Sequence, residues 1–426
     1  MRETFRSGAL FFEAKKMMPG GVSGQAQGFD PYPIYIRSGK GAIITDVDGN
    51  DYIDYCMAFG PLILGHARQE VIDALKMQLD RGTLFGTPID KEVEMARLIT
   101  KHYPGMEMMR FMGSSSEASR HAIRVARSYT ARKKIIKIEG AFHAAQDPVL
   151  VGSGPVTTTH SVTDPHGLSE EFSSNTLLVP FNDPKAIERS LLENQGQVAA
   201  VILEPVIGTA GLILPDEGYL QDLRDLTSRH DVLLIFDEVN TGFRLSMGGA
   251  QQYYGVRPDI TVLGKIAGGG LPIGIYGANR EIMSDPSWTD EVLQAGTGSG
   301  NPLSLTAGIE TIRVLGREGH DDLARKGEHI RQGLSSIVNE MHQGFQVVNL
   351  GSMFQLLLTD CAVRNYEDAK RCDSILFMDL FHKLLEKGIY LPPSQYETNF
   401  LSTAHSYAQI DRTVDAFAEA LSEVLE

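Results

Sequence analysis

Leu263-Gly264-Lys265-Ile266-Ala267-Gly268-Gly269-Gly270-Leu271-Pro272 is the stretch on which the reading of this chain turns. An apolar run delivers a lysine, and three glycines follow almost at once. Glycines placed there let the backbone approach a bound group that side chains would block. Upstream, Val232-Leu233-Leu234-Ile235-Phe236-Asp237-Glu238-Val239 reads as a buried strand that ends in an acid. The sequence thus predicts one strand delivering an Asp and a second, short strand delivering a Lys.

That pair is what pyridoxal phosphate (PLP) chemistry requires. A lysine holds the cofactor as a Schiff base, and an aspartate keeps the pyridine nitrogen protonated so that the ring accepts electrons. Singly, neither residue carries the inference. Most lysines are solvated, and an Asp closing a strand is often a turn former. A third element adds to the pair. Gly113-Ser114-Ser115-Ser116-Glu117-Ala118 follows an apolar strand and opens a helix. Free N–H groups and the helix dipole make such a start an anion site, and serine hydroxyls add donors. The same serines would serve equally as an ordinary helix cap.

The chain has 426 residues, 42% of them hydrophobic. That is enough for a large core and suggests two or more lobes. Net charge is -15, from 39 basic and 54 acidic residues. Such a balance argues against nucleic acid or anionic membrane as a partner. Cys56, Cys361 and Cys372 suggest no disulfide framework, so a reducing, cytoplasmic location is expected. Neither the cysteines nor the 12 histidines show metal-site spacing. No apolar run approaches the roughly 20 residues of a membrane span. The first residues, with Phe5, Leu10, Phe11, Phe12, Lys15 and Lys16, read as an amphipathic helix and not a signal peptide.

Periodicity sets the organisation. Residues 4–17 read as a helix, and residues 42–55 as a hairpin turning at Asp48-Gly49. From about residue 69, helices alternate with apolar strands. Candidate strands are Met108–Met112, Lys134–Glu139, Val198–Leu203, Val232–Asp237, Ile260–Leu263 and Ile273–Ala278. Alternation of this kind predicts an α/β fold with a mainly parallel sheet covered by helices. Long amphipathic helices return after about residue 318. The expected division is an N-terminal segment 1–65 belonging to a small domain, a large domain 66–317, and a C-terminal small domain 318–426. Between Gly152 and Ser174 lies a loop rich in Gly, Thr, Ser, His and Pro, of a length usually kept for function.

Taken together, these motifs resemble the class III PLP-dependent aminotransferases, and within them the glutamate-1-semialdehyde aminomutase branch. The resemblance spans nearly the whole chain. It is carried by Pro19-Gly-Gly-Val22, Asp46-Val-Asp-Gly49, Gly65-His66, Ala122-Ile-Arg-Val-Ala-Arg127 and Glu204-Pro-Val206. Leu234-Ile-Phe-Asp-Glu-Val239, Thr241-Gly-Phe-Arg244, Leu263-Gly-Lys265, Gly296-Thr297, Ser299-Gly-Asn-Pro302 and Leu391-Pro-Pro-Ser394 complete it. The resemblance implies PLP-dependent transferase fold type I. Such a fold has a large domain around a mainly parallel seven-stranded sheet and a smaller α+β domain built from both termini.

By the same resemblance, Lys265 is the Schiff-base lysine and proton shuttle, and Asp237 the partner of the ring nitrogen. Val239 packs under the ring and Phe142 stacks on its other face. Ser115 and Ser116 belong to the phosphate turn, and Glu204 is an acid near the cofactor's hydroxyl. Thr297 matches a threonine that reaches the phosphate of a neighbouring subunit, so a homodimer with shared active sites is implied. His66 and His143 read as structural.

The chain departs from the branch on the substrate side. Gln27 stands where a family arginine binds the substrate carboxylate, and a neutral amide is no substitute for a bidentate guanidinium. Phe59 replaces a tryptophan near the substrate, and Thr209 replaces an asparagine near the cofactor hydroxyl. Arg120 and His121 replace smaller or apolar residues, which makes Arg120 a candidate compensating cation. Glu397 still matches a residue at the active-site mouth. Gln27, Phe59 and Glu397 are therefore the candidate substrate contacts.

The leading expectation is an aminotransferase that moves an amino group between a small amine or amino acid and a carbonyl compound through Lys265. Its alternatives are the glutamate-1-semialdehyde 2,1-aminomutase of tetrapyrrole synthesis, with the Gly152–Ser174 loop as a lid, and an amino-acid racemase or epimerase. A catalytically idle binding protein is a reading from another class, and the intact Lys265 and Asp237 argue against it.

Overall fold

The computed structural model describes residues 3–152, 173–290 and 292–426. The chain divides into two compact units. One is built from Met1–Arg68, Asp321–Ala362 and Glu367–Glu426, the other from Gln69–His320 and Val363–Tyr366.

The first unit opens with the helix Phe5–Ala14. Three antiparallel strands follow: β1 (Ile36–Lys40), β2 (Ile43–Asp46) and β3 (Asp51–Asp54). The β2–β3 hairpin forms where Asp48-Gly49 predicts it. Gly49 takes φ +94°, and the Asp46 carboxylate accepts from the N–H groups of Asp48 and Asn50 at 3.0 and 2.8 Å.

The second unit holds a seven-stranded sheet. Its strands are β4 (Met108–Met112), β5 (Lys134–Ile138), β6 (Thr176–Val179), β7 (Val198–Leu203), β8 (Leu233–Asp237), β9 (Ile260–Gly264) and β10 (Gly274–Ala278). The spatial order is β4-β10-β9-β8-β7-β5-β6, parallel throughout except for β10, which runs antiparallel to both its neighbours. Every residue of β7, β9 and β10 is buried, which explains their unbroken apolar or small-residue sequences. The strand missing from the sequence reading is β6. It has only four residues, pairs among the described residues with β5 alone, and is partly exposed, so it lacks the long apolar run of an interior strand. The Gly152–Ser174 loop lies almost wholly outside the described residues.

The glycine run after Lys265 makes close contacts with the chain itself. A Cβ on Gly269 would lie 2.5 Å from the Ala307 carbonyl oxygen, and one on Gly268 would lie 2.8 Å from the Ile273 side chain. The run lets the chain press against the helix Pro302–Glu318 and β10.

The chain then returns to the first unit with β11 (Gln346–Leu350), β12 (Met353–Leu357), β13 (Ile389–Tyr390) and β14 (Asn399–Phe400). β13 joins β3 in parallel, and β11-β12-β14 form a separate antiparallel sheet. The helices Asp321–Glu340, Ser374–Lys387 and Tyr407–Leu425 pack on these sheets. Leu334, Phe354, Phe381, Leu384 and Phe417 lie at the heart of this core. Among the described residues, no helix is long and apolar enough to cross a membrane.

Candidate active site

Parallel strands bring their C-terminal ends to one edge of a sheet, and ligands of open α/β sheets bind there. At this edge β8 ends in Asp237, which pairs in register with Val262 of β9. Lys265 follows the end of β9, and Glu204 follows the end of β7. The alternation of the sequence thus assembles one amine and two carboxylates from three adjacent strands.

Asp237 is 3% exposed. Its Oδ1 accepts from the Val239 N–H at 3.1 Å, and its Oδ2 lies 2.8 Å from Nδ1 of His143. His143 is fully buried, and its Nε2 has no partner among the described residues. The sequence reading treats His143 as structural. The structure places it directly against Asp237.

Glu204 is 2% exposed and surrounded by donors. Its Oε1 accepts from the Thr209 hydroxyl at 2.7 Å and the Phe142 N–H at 3.2 Å. Its Oε2 accepts from the Gly208 N–H at 3.1 Å and from Nδ2 of Asn240 at 3.0 Å. Thr209, noted in the sequence as a departure, is therefore one of this carboxylate's donors. Oδ1 of Asn240 in turn accepts from Lys265 Nζ at 2.5 Å. Asn240 is absent from the sequence reading. Its one signal is position, in the turn just after the strand that carries Asp237.

Lys265 has φ +45°, in the left-handed region. A non-glycine residue there costs of order 1–3 kcal/mol, and such costs gather at functional positions. Gly264, just before it, faces the serine turn at the start of the helix Ser115–Thr130. A Cβ on Gly264 would lie 3.2 Å from Cβ of Ser115 and 3.5 Å from Cγ1 of Val239. Gly274 is tighter still, because a Cβ there would lie 1.9 Å from the Ser114 carbonyl oxygen. The helix Ser115–Thr130 starts at this point. Ser114 caps it by accepting from the Glu117 N–H at 3.3 Å, while the Glu117 carboxylate accepts from the Gly113 N–H at 2.7 Å. Ser114 is thus the cap, and Ser115 and Ser116 are the first helical residues. Phe142 follows β5 and is partly buried.

Thr297 is exposed and lines a groove of about 790 Å³ with Leu84, Phe85, Arg110, Gln294 and Ser299. The substrate-side candidates belong to the other unit. Gln27 and Phe59 line a cavity of about 390 Å³ there, together with Ser23, Asp54, His66 and Tyr390. Gln27 is exposed, and its Oε1 accepts from the Gly24 N–H at 3.3 Å. Met57, Ala58 and Phe59 form a left-handed run at φ +45°, +57° and +62°. Asp54 holds that run. Its Oδ1 accepts from the N–H groups of Cys56 and Met57 at 2.8 and 3.1 Å, and its Oδ2 lies 2.7 Å from Nε2 of His66. Glu397 is not among the cavity's lining residues. It sits in a turn where its N–H donates to the Ser394 carbonyl at 3.1 Å.

In the sheet unit, an amine, a buried acid, a buried imidazole nitrogen with no partner among the described residues, and a helix start held close by Gly264 and Gly274 lie at neighbouring strand ends. This donor set fits PLP. The comparisons agree. A sequence model of the class-III aminotransferases matches residues 25–425, and the chain belongs to that family. Over 417 residues it is 51% identical to the glutamate-1-semialdehyde 2,1-aminomutase of Archaeoglobus fulgidus, covering 98% of this chain and 99% of that one. Among solved structures it resembles an ω-transaminase from Sphaerobacter thermophilus, with TM-score 0.92, 31% identity, and 99% and 98% of the two chains covered. It also resembles a transaminase with PLP bound, with TM-score 0.91, 34% identity, and 100% and 99% covered. The protein is an enzyme of PLP-dependent fold type I, and its cofactor is pyridoxal 5′-phosphate.

Proposed function

We propose that this enzyme is a glutamate-1-semialdehyde 2,1-aminomutase, moving the amino group between neighbouring carbons of one substrate. The observation that carries this reading is the 51% identity, over 98% of the chain, to the A. fulgidus aminomutase. It reverses the order drawn from sequence alone, in which an aminotransferase with another substrate came first.

The roles follow from the placement of the side chains. When bound, PLP supplies the electron sink that draws charge from the substrate carbon bearing nitrogen. Asp237 would accept the ring N–H and keep its proton in place, with His143 fixing the carboxylate. Val239 and Phe142 would pack on the two ring faces. The N–H groups and hydroxyls of Ser115 and Ser116 would hold the phosphate. Glu204 would lie on the hydroxyl side. Lys265 would hold the cofactor at rest. Once substrate displaces it, its amine would take a proton from one carbon and return it at another. Gln27, Phe59 and Glu397 would meet the substrate. Thr297, with the exposed Leu84 and Phe85 in the same groove, would meet a second copy in a homodimer with shared sites.

Gln27 favours a second reading, transamination of a substrate with no carboxylate at that point. One assay separates the two. Purified enzyme is given glutamate-1-semialdehyde with no added amino donor or acceptor, and 5-aminolevulinate is measured. Sustained turnover is expected. No product, alongside brisk half-reactions with other amines, would leave the transaminase reading standing alone.

A further inference from the structure

Asn240 sits three residues beyond Asp237 and is 5% exposed. Both ends of its amide are engaged. Oδ1 accepts from Lys265 Nζ at 2.5 Å, and Nδ2 donates to Glu204 at 3.0 Å. A basic amine and a buried carboxylate are thereby joined through one neutral group.

The arrangement has a physical consequence. In direct contact, amine and acid would form an ion pair in a poorly hydrated place, where charges attract strongly and part reluctantly. A lysine that must swing between partners is ill served by such a lock. A carboxamide holds the amine by one hydrogen bond and adds no charge of its own. Its donation to Glu204 polarises it, so its oxygen is a better acceptor than that of an isolated amide. Glu204 is held in turn by Thr209, Gly208 and Phe142, so the amide is fixed at one end and presents its oxygen at the other. The other titratable groups near these strand ends have partners of their own. Asp237 faces His143, and Glu238 accepts from Thr241, Ala250 and Gln251. Lys137, buried on β5, donates to the Val151 carbonyl at 3.0 Å, and burial pushes its pKa down to about 7 against the opposing pull of Glu204.

We propose that Asn240 is a positioning residue that holds the Lys265 amine and passes it the influence of Glu204 while keeping the two from forming an ion pair. The inference rests on the reading of Lys265 as the cofactor-bearing lysine and goes beyond it.

Two substitutions of similar size have opposite electrostatic effects. Asn240→Asp sets a carboxylate against the amine and should raise the pH midpoint of Lys265 by about one to three pH units. Asn240→Leu removes the acceptor and should lower that midpoint. The new carboxylate of Asn240→Asp acts on the amine in either case, so a residue that merely fills space is recognised by an unmoved midpoint in Asn240→Leu. The midpoint is read on the cofactor-free protein, from the pH dependence of Lys265 labelling by an amine-reactive reagent and peptide mass analysis. Circular dichroism checks the fold. If Asn240→Leu does not fold, Asn240→Ala, which also removes the acceptor, takes its place. Borohydride reduction of the loaded wild type, followed by peptide mapping, tests the underlying reading. Cofactor found on another lysine would overturn both. Cofactor on Lys265 with an unmoved midpoint in Asn240→Leu would overturn the Asn240 inference and leave the reading intact. Cofactor on Lys265 with opposite shifts is the expected result.

Discussion

Nδ1 of His143 lies 2.8 Å from Oδ2 of Asp237, with both side chains shut away from solvent. A buried carboxylate needs partners, and His143 supplies one for this acid. Asp237→Asn should keep the fold and lose turnover by roughly 10²- to 10⁴-fold, the scale of a positioned proton-holding group. His143→Leu should lose less, because the acid remains but is less well aimed. Stopped-flow half-reaction rates, with circular dichroism as the fold control, measure both. A wild-type rate in Asp237→Asn would assign that acid another task.

Gly274 offers a test of the proposed phosphate turn that touches no reactive group. A Cβ there would lie 1.9 Å from the Ser114 carbonyl oxygen, so Gly274→Ala must push the helix start away. The expected cost is about 1–3 kcal/mol of stability, with weaker retention of cofactor on dialysis. Thermal unfolding and cofactor absorbance after dialysis report the two effects. An alanine variant that keeps both would show that the turn yields freely.

Gln27 tests the substrate side. Gln27→Arg supplies the missing cation, and a charge-assisted contact of about 1.5–3 kcal/mol corresponds to roughly a 10- to 150-fold change. The gain should appear mainly as a lower KM for glutamate-1-semialdehyde. An unchanged KM would mean that another group already holds the carboxylate, with Arg120 the first to replace.

His405 predicts an acid limit. It is 1% exposed, and burial pushes its pKa down to about 3. The folded protein therefore keeps it neutral while the unfolded chain protonates it below about pH 6.5. Its contribution to stability is complete above about pH 6.5 and is lost progressively as pH falls towards 3. His405→Gln should lower Tm at pH 7.5 yet decline less steeply between pH 6.5 and 4. Parallel Tm profiles for the two proteins would rule this out.

The sequence reading reached the sheet and the two residues at its centre because local pattern determines both. An apolar strand ending in Asp237, and another ending just before Lys265, are visible without knowing what pairs with what. His143 and Asn240 were beyond it. The contact of His143 with Asp237 joins positions 94 residues apart, and that of Asn240 with Lys265 joins positions 25 apart. Periodicity says nothing about which distant loops meet. β6 was missed because a short, half-exposed edge strand leaves little apolar signature. The glycine run was noticed for a ligand, but its tightest neighbours are the chain's own Ala307 and Ile273.

The left-handed backbone of Lys265, φ +45°, carries a consequence for how this enzyme could decay. Glycine would occupy that position at lower conformational cost, so under the proposed role a lysine persists there only while its amine is used. Lys265→Gly should unfold at a higher temperature than Lys265→Ala, both being inactive. Relaxed selection in a descendant that no longer needed the chemistry would then favour glycine at this site, and a glycine there would mark the loss of function while the fold around it stayed sound.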